Sequence, residues 1–158
     1  PLDVGGGAGA SALATAMVLG WREPAQAERR AGALGHGFAA VLVADLAAWA
    51  LEGRPLYHLV AEHASEWTPP FRGVPLDDRA VVDSLMAILH RHDTPEDGIR
   101  VAVRLGGAAT ALLAALVGGI LGCRYPSSVE RVPWAGRVAV PDDAALDAAA
   151  SALAALRG

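Results

Sequence analysis

Apolar residues recur at helical spacing along most of the chain, and no segment alternates convincingly with period two. Leu13, Met17 and Val18 mark a buried face on a helix over Ser11–Gly20. Pro24 opens a short polar-faced helix, Ala25–Leu34, that ends at Gly35. Phe38, Val41, Leu42, Leu46 and Trp49 then form one apolar face, and Gly53 with Pro55 stops that helix. A helix over Leu56–Trp67 places Leu59, Val60, His63 and Trp67 near one face, and Thr68–Pro75 is an irregular, proline-rich loop.

The second half reads in the same way. Asp77 or Asp78 caps a helix whose buried stripe is Val81, Val82, Leu85, Ile88 and Leu89. Thr94-Pro95-Glu96-Asp97 is a complete start signal: a threonine cap, proline at the first position and acids in the first turn. The helix that follows carries Ile99, Ala102 and Val103 toward Gly106-Gly107. After a central apolar run, Val129–Trp134 is read as a turn of helix with Trp134 packed inward. Pro141-Asp142-Asp143 starts a last helix with a narrow stripe of Ala145, Leu146, Ala149, Leu153 and Leu156. The pattern predicts an all-α fold in a single domain, residues 1–158, with small residues allowing close helix packing.

The central run, Leu105–Cys123, is uncharged and lies between Arg104 and Arg124. Runs of about 18 or more such residues raise the question of a membrane span. Gly106-Gly107 reads as loop, since paired glycines cost a helix interior roughly 1 kcal/mol each. Ala109–Gly122 then rises only about 21 Å at 1.5 Å per residue, short of a hydrocarbon core of about 30 Å. A buried central helix entered through a glycine loop is the reading that remains, with no membrane partner.

Composition sharpens this. With 53% hydrophobic and 19% charged residues among 158, the chain has enough apolar surface for a real core. The net charge of −4 and scattered arginines, with Arg29-Arg30 the one adjacent pair, supply no basic stripe, so nucleic acid is not an expected partner. The single cysteine, Cys123, rules out an internal disulfide framework and reads as a buried, inert thiol in a reducing, cytoplasmic setting. The chain opens on Pro1 with no starting Met and nothing resembling a signal peptide, so a missing N-terminal segment is expected.

Few residues offer chemistry. Gly5–Ala10 is a glycine-dense loop running into a helix, an arrangement that can bring backbone N–H groups to a phosphate or simply let helices pack closely. No lysine follows at P-loop spacing and no strand precedes it, which excludes the common nucleotide fingerprints. His36, flanked by Gly35 and Gly37, reads as a cap, a surface residue or a ligand donor. His58 and His63 are five apart, not the four that a helical zinc pair needs. Asp45 is read as facing solvent, and His90–Asp93 as a polar turn.

The order of Ala102-Val-Arg-Leu-Gly-Gly107, an alanine-rich helix with Val117-Gly-Gly-Ile-Leu-Gly122, and Val132-Pro-Trp134 resembles the C-terminal half of the ADP-ribosylglycohydrolase family. Gly6-Gly7-Ala8-Gly9-Ala10-Ser11-Ala12-Leu13 is similar to that family's Gly-Gly-Asn-Gly-Ala-Ala-Met-Arg loop, with Ala8 and Leu13 in place of the asparagine and arginine. Gly35-His36-Gly37 falls where the family has a Thr-His segment. The resemblance implies a compact orthogonal helical domain and a ligand site drawn from Gly6, Gly7, Gly9, His36, Gly107 and Thr110. It also implies two Mg²⁺ ions held by a Gly-Gly-Asp-Thr-Asp-Thr motif. Here Ala109 and Ala111 stand at the aspartate positions, or the alignment shifts by one, and neither choice recovers a carboxylate.

Alanine supplies no oxygen to a cation that takes oxygen ligands at about 2.0–2.1 Å. No metal or other cofactor is therefore expected, and no catalytic residue is assigned. The chemistry implies a degenerate family member that binds a small or ADP-ribosyl-like ligand as a regulatory module. Three alternatives stay open: an apolar pocket repurposed for metal-free small-molecule chemistry in secondary metabolism, a purely structural or interaction role in which another subunit covers the edge left by a missing half, and an active hydrolase completed by a second chain or by the missing N-terminal half.

Overall fold

The computed structural model describes residues 16–17, 37–63, 72–129, 131–134, 137 and 143–155, and these are helical with connecting turns and no strand. The helices are α1 (Gly37–Leu51), α2 (Leu56–His63), α3 (Asp78–Arg91), α4 (Pro95–Leu105), α5 (Thr110–Arg124), α6 (Pro126–Val129) and α7 (Asp143–Ala155). Ala16 and Met17 are also helical, Ala16 fully buried and Met17 half-buried against the core. The remainder of the Ser11–Gly20 helix, the helix expected over Ala25–Leu34 and the stretch 64–71 lie outside the described residues.

Local signals set the helix ends. Asp77, rather than Asp78, caps α3, its carboxylate accepting from the Ala80 N–H at 2.9 Å. Thr94 Oγ1 accepts from the Asp97 N–H at 3.2 Å and donates to the Asp97 carboxylate at 3.0 Å, with Pro95 at the first position of α4. α1 stops in a Schellman arrangement: Gly53 N–H donates to Ala50 O and Arg54 N–H to Trp49 O, with Gly53 at φ 72°. The Arg54 guanidinium then lies 3.5 Å from the Trp49 ring centroid.

α5 is the helix on which α1, α3, α4 and α6 all pack, α4 most extensively. Its buried residues are Leu113, Leu116, Val117, Ile120 and Leu121, a single stripe at helical spacing. Ala111 and Ala115 are exposed, so the central run is buried on one face, not all round. The more deeply buried helix is instead α1, where Ala39, Ala40, Leu42, Val43, Ala44, Leu46, Ala47, Ala48 and Ala50 are all buried and the face of Val41, Asp45 and Trp49 is half-buried. Two expectations for α1 are corrected: Phe38 is 46% exposed rather than part of the core face, and Asp45 is half-buried rather than facing solvent. Leu85, Met86 and Ile88 of α3 and Val60 of α2 complete the fully buried layer.

Glycine sets the spacing between α4 and α5. A Cβ at Gly98 would come 2.6 Å from Val117 Cγ1 and 2.9 Å from Leu121 Cδ1. Gly118 returns the relationship, since a Cβ there would meet Ile99 Cδ1 at 3.0 Å. Close packing through small residues is thus present as the sequence predicts, with Ala102 buried, whereas Val103 is 56% exposed.

Three further expectations are corrected. The helical turn after α5 begins at Pro126 and ends at Val129, and Trp134 is only half-buried beyond it. Ala145, Leu146 and Ala149 of α7 are exposed, Leu146 by 57%, so these residues do not form a core stripe. Cys123 is half-buried, a thiol outside any disulfide that packs against the core rather than inside it. At 15 residues α5 is about 22 Å long, and among the described residues no helix is long and apolar enough to cross a membrane.

Candidate functional site at the glycine loop

α4 ends where two glycines leave the right-handed region in succession. Gly106 has φ 67° and ψ −172°, and Gly107 has φ 99°. The loop they form is clasped by the segment before α3. Gly73 N–H donates to Leu105 O at 2.7 Å, Val74 N–H to Gly106 O at 2.9 Å, and Ala109 N–H to Val74 O at 3.1 Å. Val74 itself is fully buried. A Cβ at Gly107 would overlap the backbone of Gly73 and Val74, so this chain's own loop occupies the close approach that the glycine permits.

Two of the expected site residues meet here. The Thr110 hydroxyl donates to Gly107 O at 2.7 Å, and the Thr110 N–H donates to the same carbonyl at 3.2 Å. That contact ties the first residue of α5 back to the glycine loop. Gly6, Gly7, Gly9 and His36, with Ala8 and Leu13, lie outside the described residues. The two positions expected to carry metal ligands diverge: Ala109 is fully buried and starts α5 without a side-chain cap, whereas Ala111 is exposed. Neither supplies an oxygen, and the α5 first turn holds no acid. These residues do not fit Mg²⁺.

The electrostatics of the loop run the other way. Across 72–74 and 104–111 the charged side chains are Arg72 and Arg104, both exposed and each next to the paired Gly73 and Leu105. The N-terminal end of α5 adds the positive pole of its backbone dipoles. An anion is favoured there and a divalent cation opposed. Arg104 also lines an open pocket of about 400 Å³ along α4, with Ile99, Arg100, Val103 and Trp134. Arg100 is paired with Glu96 at 2.7 Å, and its guanidinium lies 5.2 Å from the Trp134 ring centroid.

The partnership of Gly73-Val74 with the glycine loop was not readable from spacing. Its only signal was a glycine among prolines in an irregular segment. The two arginines carried no signal beyond their charge. Of the other polar groups in the sequence, His58 is exposed on α2, and the expected polar turn over His90–Asp93 is corrected: His90 and Arg91 are the exposed last residues of α3, followed by His92, half-buried, and Asp93, exposed. Among the described residues no three His, Cys, Asp or Glu side chains converge. No protein-family model, no curated protein and no solved structure matches the chain.

Proposed function

We propose that the chain is an ADP-ribosylglycohydrolase-like helical domain that lacks two-metal hydrolysis and binds an ADP-ribosyl or nucleotide-like ligand as a regulatory module. The observation that carries this reading is the start of α5, which is free of carboxylates and flanked by Arg72 and Arg104, with Ala109 buried at a position where the resemblance implies a metal-binding aspartate. A carboxylate at 109 would have to be desolvated to sit there, at a cost only a bound cation or strong partners could offset.

The same features suit an anionic ligand. Arg72, Arg104 and the α5 N-terminus attract phosphate oxygens. The half-buried indole of Trp134 lines a pocket with Arg104 and offers a flat surface on which a base can stack, worth about 1–3 kcal/mol in other nucleotide complexes. Gly107 and Thr110 contribute the loop, and Gly6, Gly7, Gly9 and His36 supply the second glycine-rich element of the proposal.

Incubation with ADP-ribosylated substrate, with and without Mg²⁺, tests the loss of hydrolysis, and calorimetric titration with ADP-ribose tests binding. The expected result is no release of ADP-ribose above background and a binding isotherm that Mg²⁺ leaves unchanged. Mg²⁺-dependent release overturns the proposal. Binding of ADP-ribose that Arg104→Gln and Trp134→Ala leave untouched removes the assigned site.

A further inference from the structure

At the end of α5 remote from the glycine loop, the helix termini enclose a second pocket, of about 360 Å³. Its walls come from the start of α2, the end of α3 with the turn after it, and the end of α5. Leu56, Leu89 and Leu121 supply a buried apolar floor. Arg124 and Asp93 line the same pocket as opposite charges.

These two charges are not spent on each other or on other described residues. Arg124 forms no hydrogen bond or ion pair among the described residues; its guanidinium lies 5.0 Å from the Tyr125 ring centroid and beside Gly53, where a Cβ would stand 3.7 Å from Nη1. Ring and turn hold the fork in place while its five N–H donors stay available. Asp93, exposed in the turn between α3 and α4, likewise has no hydrogen-bond or ion-pair partner among the described residues.

We infer that this pocket binds a small amino-acid-like zwitterion with an aliphatic side chain. The ligand carboxylate takes the Arg124 fork in a bidentate pairing, the geometry in which guanidinium and carboxylate match best. The ammonium takes Asp93, and the aliphatic side chain covers Leu56, Leu89 and Leu121. Asp93 on the same rim opposes a phosphate dianion, which disfavours the nucleotide class proposed for the other end of α5. The volume points the same way, since it lies near the small end of the roughly 300–1,000 Å³ typical of ligand pockets.

Thermal-shift and NMR titrations with L-leucine test the site, with N-acetyl-leucine and leucinamide as probes that lack the ammonium and the carboxylate charge. L-leucine is expected to raise the melting temperature in a dose-dependent way at millimolar concentration and to shift the amides around 89–93 and 121–125. Each truncated probe, and each of the variants Arg124→Gln and Asp93→Asn, is expected to weaken binding at least tenfold. Asp93→Asn alters an exposed side chain and keeps the ligand-free melting temperature, so it remains informative if Arg124→Gln disturbs the α5 terminus. No shift with L-leucine, equal binding of N-acetyl-leucine, or preference for inorganic phosphate overturns the inference.

Discussion

Gly98 and Val117 set the distance between α4 and α5: a Cβ on the glycine would reach to 2.6 Å from the valine Cγ1. A β-branched side chain in a helix has one strongly preferred rotamer, so Val117 cannot swing aside. Gly98→Ala is therefore expected to destabilise by about 1–3 kcal/mol through overpacking, less the roughly 1 kcal/mol that alanine gains in a helix interior. Denaturant unfolding checks the sign. Val117→Ala placed in the Gly98→Ala background is expected to recover part of the loss, a coupling that a double-mutant cycle reads directly.

The two loop glycines separate conformation from contact. Gly106 is strained for any other residue, but a Cβ there meets nothing within 4 Å. Gly106→Ala is expected to cost about 1–3 kcal/mol from backbone conformation alone. Gly107→Ala adds overlap with the Gly73 and Val74 backbone, a further ~1–3 kcal/mol. Hydrogen exchange at the Gly73, Val74 and Ala109 amides locates the damage. Equal costs at the two glycines would contradict the packing account.

Ser84 is fully buried in α3, and its hydroxyl has no hydrogen-bond partner among the described residues. A buried polar group left unsatisfied costs about 1–3 kcal/mol. Ser84→Ala is accordingly expected to raise stability by about 1 kcal/mol, visible as a higher denaturation midpoint with an unchanged slope. A loss of stability would mean that the hydroxyl has a partner in solution.

Asp77 and Thr94 each satisfy a first-turn N–H, of α3 and α4 respectively. Asp77→Ala and Thr94→Ala are each expected to cost ~1 kcal/mol, with Asp77→Ser recovering most of it. Urea midpoints of the singles and the double measure both terms, and the two caps are expected to add because they share no partner.

Leu146 and Leu116 have the same side chain and opposite fates, the first 57% exposed and the second fully buried. Leu116→Ala is expected to cost about 2–5 kcal/mol, and Leu146→Gln to stay within about 0.5 kcal/mol. Thermal melts of the two variants distinguish them without ambiguity.

The candidate site was legible only in part. That Gly107 and Thr110 belong together follows from a glycine loop opening a helix, and Thr110 Oγ1 does bond Gly107 O. That Gly73 and Val74 clasp this loop does not follow, because backbone pairing between distant segments leaves no side-chain pattern. Arg124 and Asp93 look like ordinary helix-end and turn residues until the fold places both on one pocket.

What the sequence determined by itself is local: the all-α character, a cap at Asp77 or Asp78 and one at Thr94, the stop at Gly53 and the loop at Gly106-Gly107. Each depends on a hydrogen bond or a backbone angle within a few residues, so composition and spacing suffice. The tertiary structure alone decided which apolar surface is covered. The uncharged α5 presents Ala111 and Ala115 outward, α1 is buried around nearly its whole circumference with Asp45 half-buried within it, and α7 leaves Leu146 exposed. An alanine-rich helix is apolar on every face, so its own pattern cannot choose the side that packs; the neighbouring helices make that choice.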